Sequence, residues 1–152
     1  MKVLFAVDVQ PEFVKDSTGK KVYANCINYI NQYRGEYNYV LAAVYKNENN
    51  SVLQRFVDYN ECKDIAPLDF IPDKVQFHSG YSISEYPKVR NVDQVDIIGF
   101  DTDACVLSAA FHLFETGCNM RLLTNLIWSS GGEKMHKAGL AVMTRQFGKA
   151  VV

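Results

Sequence analysis

The sequence lacks an excess of charge of either sign. Its 16 lysine and arginine residues are balanced by 17 aspartate and glutamate residues, and no block of like charge interrupts the 152 residues. A protein that holds nucleic acid by its phosphates needs a basic patch. The composition therefore argues against a nucleic-acid partner and favours a small-molecule substrate.

Long apolar runs are also missing. The opening MKVLFAVDVQ contains a short apolar run that Asp8 interrupts, and this run is too brief for a signal sequence or a membrane span. With 48% hydrophobic and 22% charged residues, the composition is that of an ordinary globular domain. We expect a single domain over residues 1–152, cytoplasmic and with no membrane partner.

Cysteine and histidine are few and scattered. The four cysteines form no C-x-x-C pair, and the three histidines form no H-x-x-x-H or H-x-x-x-x-H pair. Zinc sites commonly use such spacings, so we predict no metal and no cofactor. In a reducing compartment each thiol then serves either core packing or chemistry.

Strand and helix patterns alternate along the chain. Short apolar runs predict six strands, at residues 2–7, 39–45, 73–79, 94–100, 119–127 and 149–152. Apolar residues at helical spacing predict helices at 25–33, near 51–57, between the fourth and fifth strands, and at 133–147. This alternation predicts an α/β fold of three layers, α/β/α, around a central and mainly parallel six-stranded sheet that is Rossmann-like.

The helix after the fourth strand has the clearest signals. Gly117 marks its C-terminal end, and either Thr102 or Asp103 is a suitable N-cap. Its predicted apolar face consists of Leu107, Ala110, Phe111 and Phe114.

Three reactive side chains fall near the carboxyl ends of predicted strands. Asp8 closes the first strand, His78 lies near the end of the third, and Cys105 follows the fourth. Ligand crevices in open parallel sheets lie at this edge. These residues are therefore our candidate catalytic residues.

Cys105 lies in the first turn of its predicted helix. Unpaired N–H groups and the helix dipole favour a thiolate there, lower the thiol pKa, and suit an oxyanion. The alternative is a small core residue. Asp101 and Asp103 would oppose a thiolate unless their side chains turn away or cap the helix.

The other two candidates also have simpler readings. Asp8 is either the base that takes the thiol proton or a solvated carboxylate at a strand end. His78 is either catalytic, as a partner of the thiolate, or structural. Lys74 shares its strand face but enters at the opposite edge, and His112 and His136 are surface or packing residues.

Three segments resemble the isochorismatase-like cysteine hydrolases, the group that includes nicotinamidases and N-carbamoylsarcosine amidase. They are DVQPEF, GFDTDACVLSAAFHLFETG and WSSGGEKMHKAGLAVM. The resemblance implies a triad with Asp8 as its acid and Cys105 as its nucleophile. It also implies a cis peptide between Phe100 and Asp101, and an oxyanion hole formed by the N–H groups of Asp101 and Cys105.

The resemblance further implies that Gln10 and Phe13 line or brace the substrate pocket and that the protein is a homo-oligomer, a dimer or higher. One triad position departs from the family pattern. Where the family usually has lysine, four residues before the serine of a Tyr-Ser pair, the segment HSGYS has His78. Metal-binding histidines of nicotinamidases also have no counterpart here.

We therefore expect a metal-independent cysteine hydrolase that cleaves a C–N bond of a small amide or ureido-type molecule through an acyl-enzyme on Cys105. The alternative is a catalytically silent family member that binds a small molecule or a protein partner in the same cleft. The replacement of lysine by His78 motivates that alternative.

Overall fold

The computed structural model describes residues 1–45 and 91–152. Within these ranges the strands are β1 (Lys2–Val7), β2 (Tyr39–Ala43), β3 (Gln94–Gly99) and β4 (Met120–Ile127). The α-helices are α1 (Ser17–Tyr33), α2 (Cys105–Glu115) and α3 (Gly132–Phe147). None of these helices has both the length and the apolar character needed to cross a membrane.

The strands form one parallel sheet in the order β2-β1-β3-β4. Side chains of β1 alternate between its two faces: Val3, Phe5 and Val7 join one apolar cluster, and Leu4 and Ala6 join the other. The first cluster includes buried residues of α2 and α3, whereas the second includes those of α1. The predicted three-layer α/β/α class is therefore confirmed.

Two of the six predicted strands have other outcomes. Residues 149–152 do not form a strand, because a 3-10 turn at Gly148–Ala150 leaves only one parallel bridge, between Val151 and Leu122. The third predicted strand, at 73–79, and the helix near 51–57 lie outside the described residues.

Helix α1 begins eight residues earlier than the predicted start at 25. Asp16 is its N-cap, and the Asp16 carboxylate accepts a hydrogen bond from the Gly19 N–H at 2.6 Å. Gly19 is buried in the first turn against Trp128, where an added Cβ would lie 3.2 Å from the indole ring. A cap and a tertiary contact thus support a helical turn that the apolar spacing did not predict.

Helix α2 buries a different face from the predicted one. Its fully buried residues are Val106, Ala109, Ala110 and Leu113. Of the predicted set, only Ala110 is among them, and Phe114 is exposed. Phe111 and Phe114 instead pack against Phe147 of α3, with ring centroids 5.0 and 5.4 Å away, so the aromatic residues join two helices at the rim of the core.

Candidate active site

Asp8 directly follows β1 at the carboxyl edge of the sheet. Its side chain is fully buried, and its backbone N–H donates to the Ala43 carbonyl of β2 at 2.9 Å. Its φ of 47° lies in the left-handed region that non-glycine residues seldom adopt. The backbone that carries this buried carboxylate is therefore fixed at the end of a central strand by its hydrogen bond to β2.

The segment that leads to Cys105 follows β3, the strand next to β1, and it begins at the same edge of the sheet as Asp8. Val7 pairs with Gly99, and the Phe100 N–H donates to the Val7 carbonyl at 2.8 Å. Gly99 has a φ of 120°, and a Cβ there would lie 1.8 Å from the Val7 carbonyl oxygen, so only glycine fits. The peptide bond from Phe100 to Asp101 is cis, as the resemblance implies.

Cys105 is the first residue of α2, which is the first-turn position that the sequence predicts for it. We call residues 101–105, which end at the candidate nucleophile, the nucleophile turn. The Asp101 carbonyl closes this turn, because it accepts from the N–H groups of Ala104 at 3.1 Å and Val106 at 2.9 Å. The cysteine side chain is half-buried and contacts the apolar cluster on the α2 side of the sheet.

The predicted N-caps of α2 are wrong. Ala104 occupies the N-cap position, and its methyl group has no atom that could cap the helix. The side chains of Thr102 and Asp103 bind the segment around α3 instead: Thr102 contacts His136, and Asp103 contacts Ser129. They are used to hold the nucleophile turn against its neighbours.

The two carboxylates near Cys105 are both hydrogen-bonded to the loop after β4. Asp101 accepts from the Ser130 N–H at 2.5 Å and from the Ser130 hydroxyl at 2.7 Å, and Asp103 accepts from the Ser129 hydroxyl at 2.5 Å. Burial raises the pKa of Asp101, and Asp103 adds to this, whereas Ser130 and Lys15 oppose it. Both carboxylates therefore have partners other than the Cys105 thiol.

Gln10 and Phe13 lie at the same edge of the sheet, next to β2. Gln10 is fully buried and makes two hydrogen bonds to the backbone of Tyr45, two residues beyond β2. The Phe13 ring lies 6.1 Å from that of Tyr45 and 6.5 Å from that of Phe100. We call the rings of Phe13, Tyr45 and Phe100 the aromatic wall; it lies beside Asp8 and the nucleophile turn.

The structure thus brings five of the six predicted site residues to one edge of the sheet: Asp8, Gln10, Phe13, Asp101 and Cys105. The sixth, His78, lies outside the described residues. Of residues 1–45 and 91–152, none belong to a group of three or more histidine, cysteine or acidic side chains placed to hold a metal ion. The absence of a cofactor stays a prediction.

Sequence reasoning missed Ser129, Ser130 and Tyr45 as parts of this site. All three follow parallel strands, so the rule that selected Asp8 also applied to them. Their partners are backbone groups and side chains distant in sequence, such as Asp101, which is 29 residues from Ser130.

Comparison with known proteins agrees with this architecture. The family model for the isochorismatase domain matches residues 2–152. A sequence comparison with curated proteins gives no match. Among solved structures, a nicotinamidase from Bacillus subtilis is similar to the chain with a TM-score of 0.79 at 17% identity, covering 99% of this chain and 98% of that one.

Two further solved structures share the fold. A pyrazinamidase/nicotinamidase from Streptococcus mutans has a TM-score of 0.79 at 16% identity and covers 100% of both chains. An N-carbamoylsarcosine amidase from Thermoplasma acidophilum has a TM-score of 0.78 at 18% identity and covers 97% of this chain and 92% of that one. The family match over residues 2–152 shows that this chain belongs to the isochorismatase family of hydrolases, and its α/β/α fold agrees with that membership.

Proposed function

We propose that the protein is a metal-independent cysteine hydrolase that cleaves a C–N bond of a small amide or ureido-type molecule. The observation that carries this proposal is the position of Cys105, the first residue of α2, directly after the turn that leaves β3. A thiol at a helix N-terminus meets unpaired N–H groups and the positive end of the helix dipole. Both favour the thiolate, which is the nucleophilic form.

The proposed reaction has two halves. In the first, the Asp8 carboxylate takes the proton of the Cys105 thiol, and the sulfur attacks the substrate carbonyl carbon. The resulting oxyanion accepts hydrogen bonds from the N–H groups of Asp101 and Cys105. When this tetrahedral species collapses, the C–N bond breaks, the amine leaves with the proton held by Asp8, and a thioester remains on Cys105.

Water completes the second half. Asp8 takes a proton from a water molecule that attacks the thioester carbonyl, and a second tetrahedral species forms. Its collapse breaks the C–S bond, releases the acid and returns the proton to the Cys105 sulfur. The enzyme is then ready for another substrate without any redox change or co-reactant other than water.

The burial of Asp8 supports its role as the base. A carboxylate removed from water at the end of a central strand is uncommon unless it has a function. Asp8 leaves β1 beside the strand that leads into the nucleophile turn, since Phe100 is hydrogen-bonded to Val7. This shared edge is the arrangement that an acid and a nucleophile need.

The carboxylates of Asp101 and Asp103 raise an electrostatic objection to a thiolate, and their hydrogen bonds answer it. Each accepts from a serine of the loop after β4, which disperses its negative charge. Burial also raises the pKa of Asp101, so its charged form is less favoured than that of a solvated aspartate.

The substrate class rests on the family and on the aromatic wall. The similar structures include enzymes named as a nicotinamidase and as an N-carbamoylsarcosine amidase, names that specify an amide and a carbamoyl compound. Phe13 and Tyr45 offer ring surfaces that suit a small, flat organic group.

We also propose that the protein works in the cytoplasm as a homo-oligomer, with neither nucleic acid nor membrane as a partner.

His78 is proposed as the third triad member, in the place where the family usually has lysine. A protonated imidazole beside the thiolate would stabilise it, although only near or below a pH of about 6.5 for an unperturbed histidine. The catalytically silent alternative draws on the same replacement. It keeps the cleft and predicts that Cys105 is no more reactive than an ordinary thiol.

Mass spectrometry distinguishes the proposed hydrolase from the catalytically silent alternative. The protein is mixed with a panel of small primary amides and ureido compounds, quenched in acid and digested, and each cysteine peptide is examined for an acyl adduct. We expect an adduct on Cys105 alone, and none in Cys105→Ser. If no compound acylates Cys105 while the protein is folded, the hydrolase proposal is wrong and the silent alternative stands.

A further inference from the structure

We propose that His136 of α3 is a positioning residue for the nucleophile turn, which it holds in place through Thr102. This inference rests on the proposed role of Cys105. In this scheme His136 acts through Thr102 and not on the reacting atoms. It acts on the backbone that carries the thiol and the proposed oxyanion site.

The contact between His136 and Thr102 is short and buried. The Nδ1 atom of His136 lies 2.8 Å from the Thr102 hydroxyl oxygen, the histidine is 9% exposed, and the threonine is fully buried. Thr102 immediately follows Asp101 in the nucleophile turn, and its own N–H donates to the Trp128 carbonyl at 3.1 Å. Its side chain and its backbone thus fix the turn from two directions.

The imidazole ring is itself held by packing. The Trp128 ring lies 4.5 Å from it, centroid to centroid, with the planes 35° apart. The Trp128 indole N–H contacts the Asp16 carboxylate at 3.3 Å, so the tryptophan is anchored to the first turn of α1. An imidazole packed in this way has little freedom to turn away from Thr102.

The backbone of α3 also lies against the turn, one helical turn beyond His136. A Cβ added at Gly139 would lie 2.6 Å from the Thr102 carbonyl oxygen and 2.8 Å from the Asp103 Cα. Only glycine allows this approach. Helix α3 therefore meets the nucleophile turn twice, with a side chain at His136 and with bare backbone at Gly139.

The charge state of the ring suits this role. Burial lowers the pKa of His136 below 6.5, Asp103 and Glu133 oppose the shift, and Lys137 adds to it. In a neutral imidazole Nδ1 is able to accept a hydrogen bond from the Thr102 hydroxyl group, whereas in a protonated one it is not. The Trp128 ring, which packs against the imidazole, carries no charge.

The test uses the second-order rate constant for alkylation of Cys105 by iodoacetamide, followed by mass spectrometry of its peptide. His136→Phe keeps a ring against Trp128 and removes the hydrogen bond. Thr102→Val keeps the shape and removes the hydroxyl group. His136→Asn returns a polar atom near the position of Nδ1, and Met143→Ala removes a buried side chain from the same helix without altering either partner.

We expect His136→Phe and Thr102→Val each to slow the alkylation of Cys105 about tenfold, the rate equivalent of one lost hydrogen bond. The double variant should be no slower than either single one, because both remove the same contact. His136→Asn should recover most of the rate, and Met143→Ala should stay within about twofold of the parent, since a merely structural effect of α3 would appear there instead.

The inference is overturned if His136→Phe alkylates Cys105 at the parental rate, or if Met143→Ala slows it as much. It is also overturned if the effects of His136→Phe and Thr102→Val simply add. Failure of the proposed function has a different signature: parental Cys105 would react no faster than Cys118, and the positioning role would fall with it.

Discussion

The side chain of Gln10 forms two hydrogen bonds with the backbone of Tyr45. Its Nε2 donates to the Tyr45 carbonyl at 3.0 Å, and its Oε1 accepts from the Tyr45 N–H at 2.7 Å. This pair joins the segment after β1 to the segment after β2. It therefore fixes one wall of the proposed active site.

Gln10→Leu should lower the free energy of unfolding by about 2 to 3 kcal/mol, because both hydrogen bonds of a buried side chain are lost and the space stays filled. Urea denaturation measures this. The exposed Gln146→Leu is the matched control, and we expect less than about 0.5 kcal/mol there. Equal effects of the two substitutions would mean that the link to Tyr45 contributes nothing to stability.

Gly139→Ala sets helix propensity against a close contact. In an open helix the change stabilises by roughly 0.5 to 1 kcal/mol, but here the new Cβ would meet the Thr102 carbonyl at 2.6 Å. We expect net destabilisation together with slower alkylation of Cys105. Gly35→Ala is the control, since nothing lies within 4 Å of a Cβ there. A stabilised and fully reactive Gly139→Ala would show that α3 does not constrain the nucleophile turn.

Asp96 is a buried carboxylate at the opposite end of β3. Arg121 contacts both of its oxygens, at 2.8 and 2.6 Å, and Tyr37 donates to it at 2.7 Å. Arg121→Met should cost about 2 to 3 kcal/mol, below the range for fully buried pairs because the Arg121 side chain is 43% exposed. Lys137→Met removes an exposed pair with Glu133 and should change nothing measurable.

The Asp96 network also predicts a pH dependence. Burial alone would raise the pKa of Asp96, but hydrogen bonds from Arg121, Tyr37 and Gln94 outweigh it and hold the pKa below 3.8. A carboxyl group whose pKa is lowered in the folded state stabilises the fold at pH values above 3.8. This contribution is lost as the pH falls below 3.8 and through the pKa of the folded state. Urea denaturation between pH 6 and pH 2.5 should show the loss in the parent. An equal acid sensitivity in Asp96→Asn would contradict it.

Cys26 should behave as an inert thiol. Burial raises its pKa to about 12, from 9.0, and its Sγ lies 3.2 Å from the Leu126 carbonyl oxygen. Since the folded state holds the proton more tightly, Cys26 stabilises the fold below pH 9, and this contribution is lost as the pH rises towards 12. At pH 9, iodoacetamide should label Cys26 only when urea is present, and then no faster than the chain unfolds. Labelling at the rate of Cys118 in native buffer would contradict this.

The position of Cys105 was predictable because its signals are local. An apolar strand, a short polar turn and an amphipathic helix follow one another within about 20 residues, and the carboxyl-edge rule gives the location of the site. Asp8 was predictable for the same reason. The class of the fold followed from the alternation of strands and helices.

The features that sequence reasoning missed depend on distant contacts. The early start of α1 requires the Asp16 cap and the packing of Trp128 on Gly19. The buried charge of Asp96 interrupts an apolar run, and its partner Arg121 lies 25 residues away. His136 was interpreted as a surface or packing residue, and only the folded chain shows Thr102 beside it.

The proposed catalytic site is tested most directly by the pH dependence of Cys105 alkylation in the parent, Asp8→Asn and His78→Lys. Iodoacetamide reacts with the thiolate, so the midpoint of the rate against pH reports the titration of the thiol. Cys118 in the same samples is the internal control, because burial and the nearby Asp93 raise its pKa.

We expect the parent midpoint to lie well below the ordinary thiol value of about 8.5. His78→Lys should lower it further, because a permanent cation stabilises the thiolate, and Asp8→Asn should also move it, because a neighbouring charge is removed. A parent midpoint of about 8.5 that is the same in both variants would contradict the proposal. Asp8, His78 and Cys105 would then not form one catalytic site.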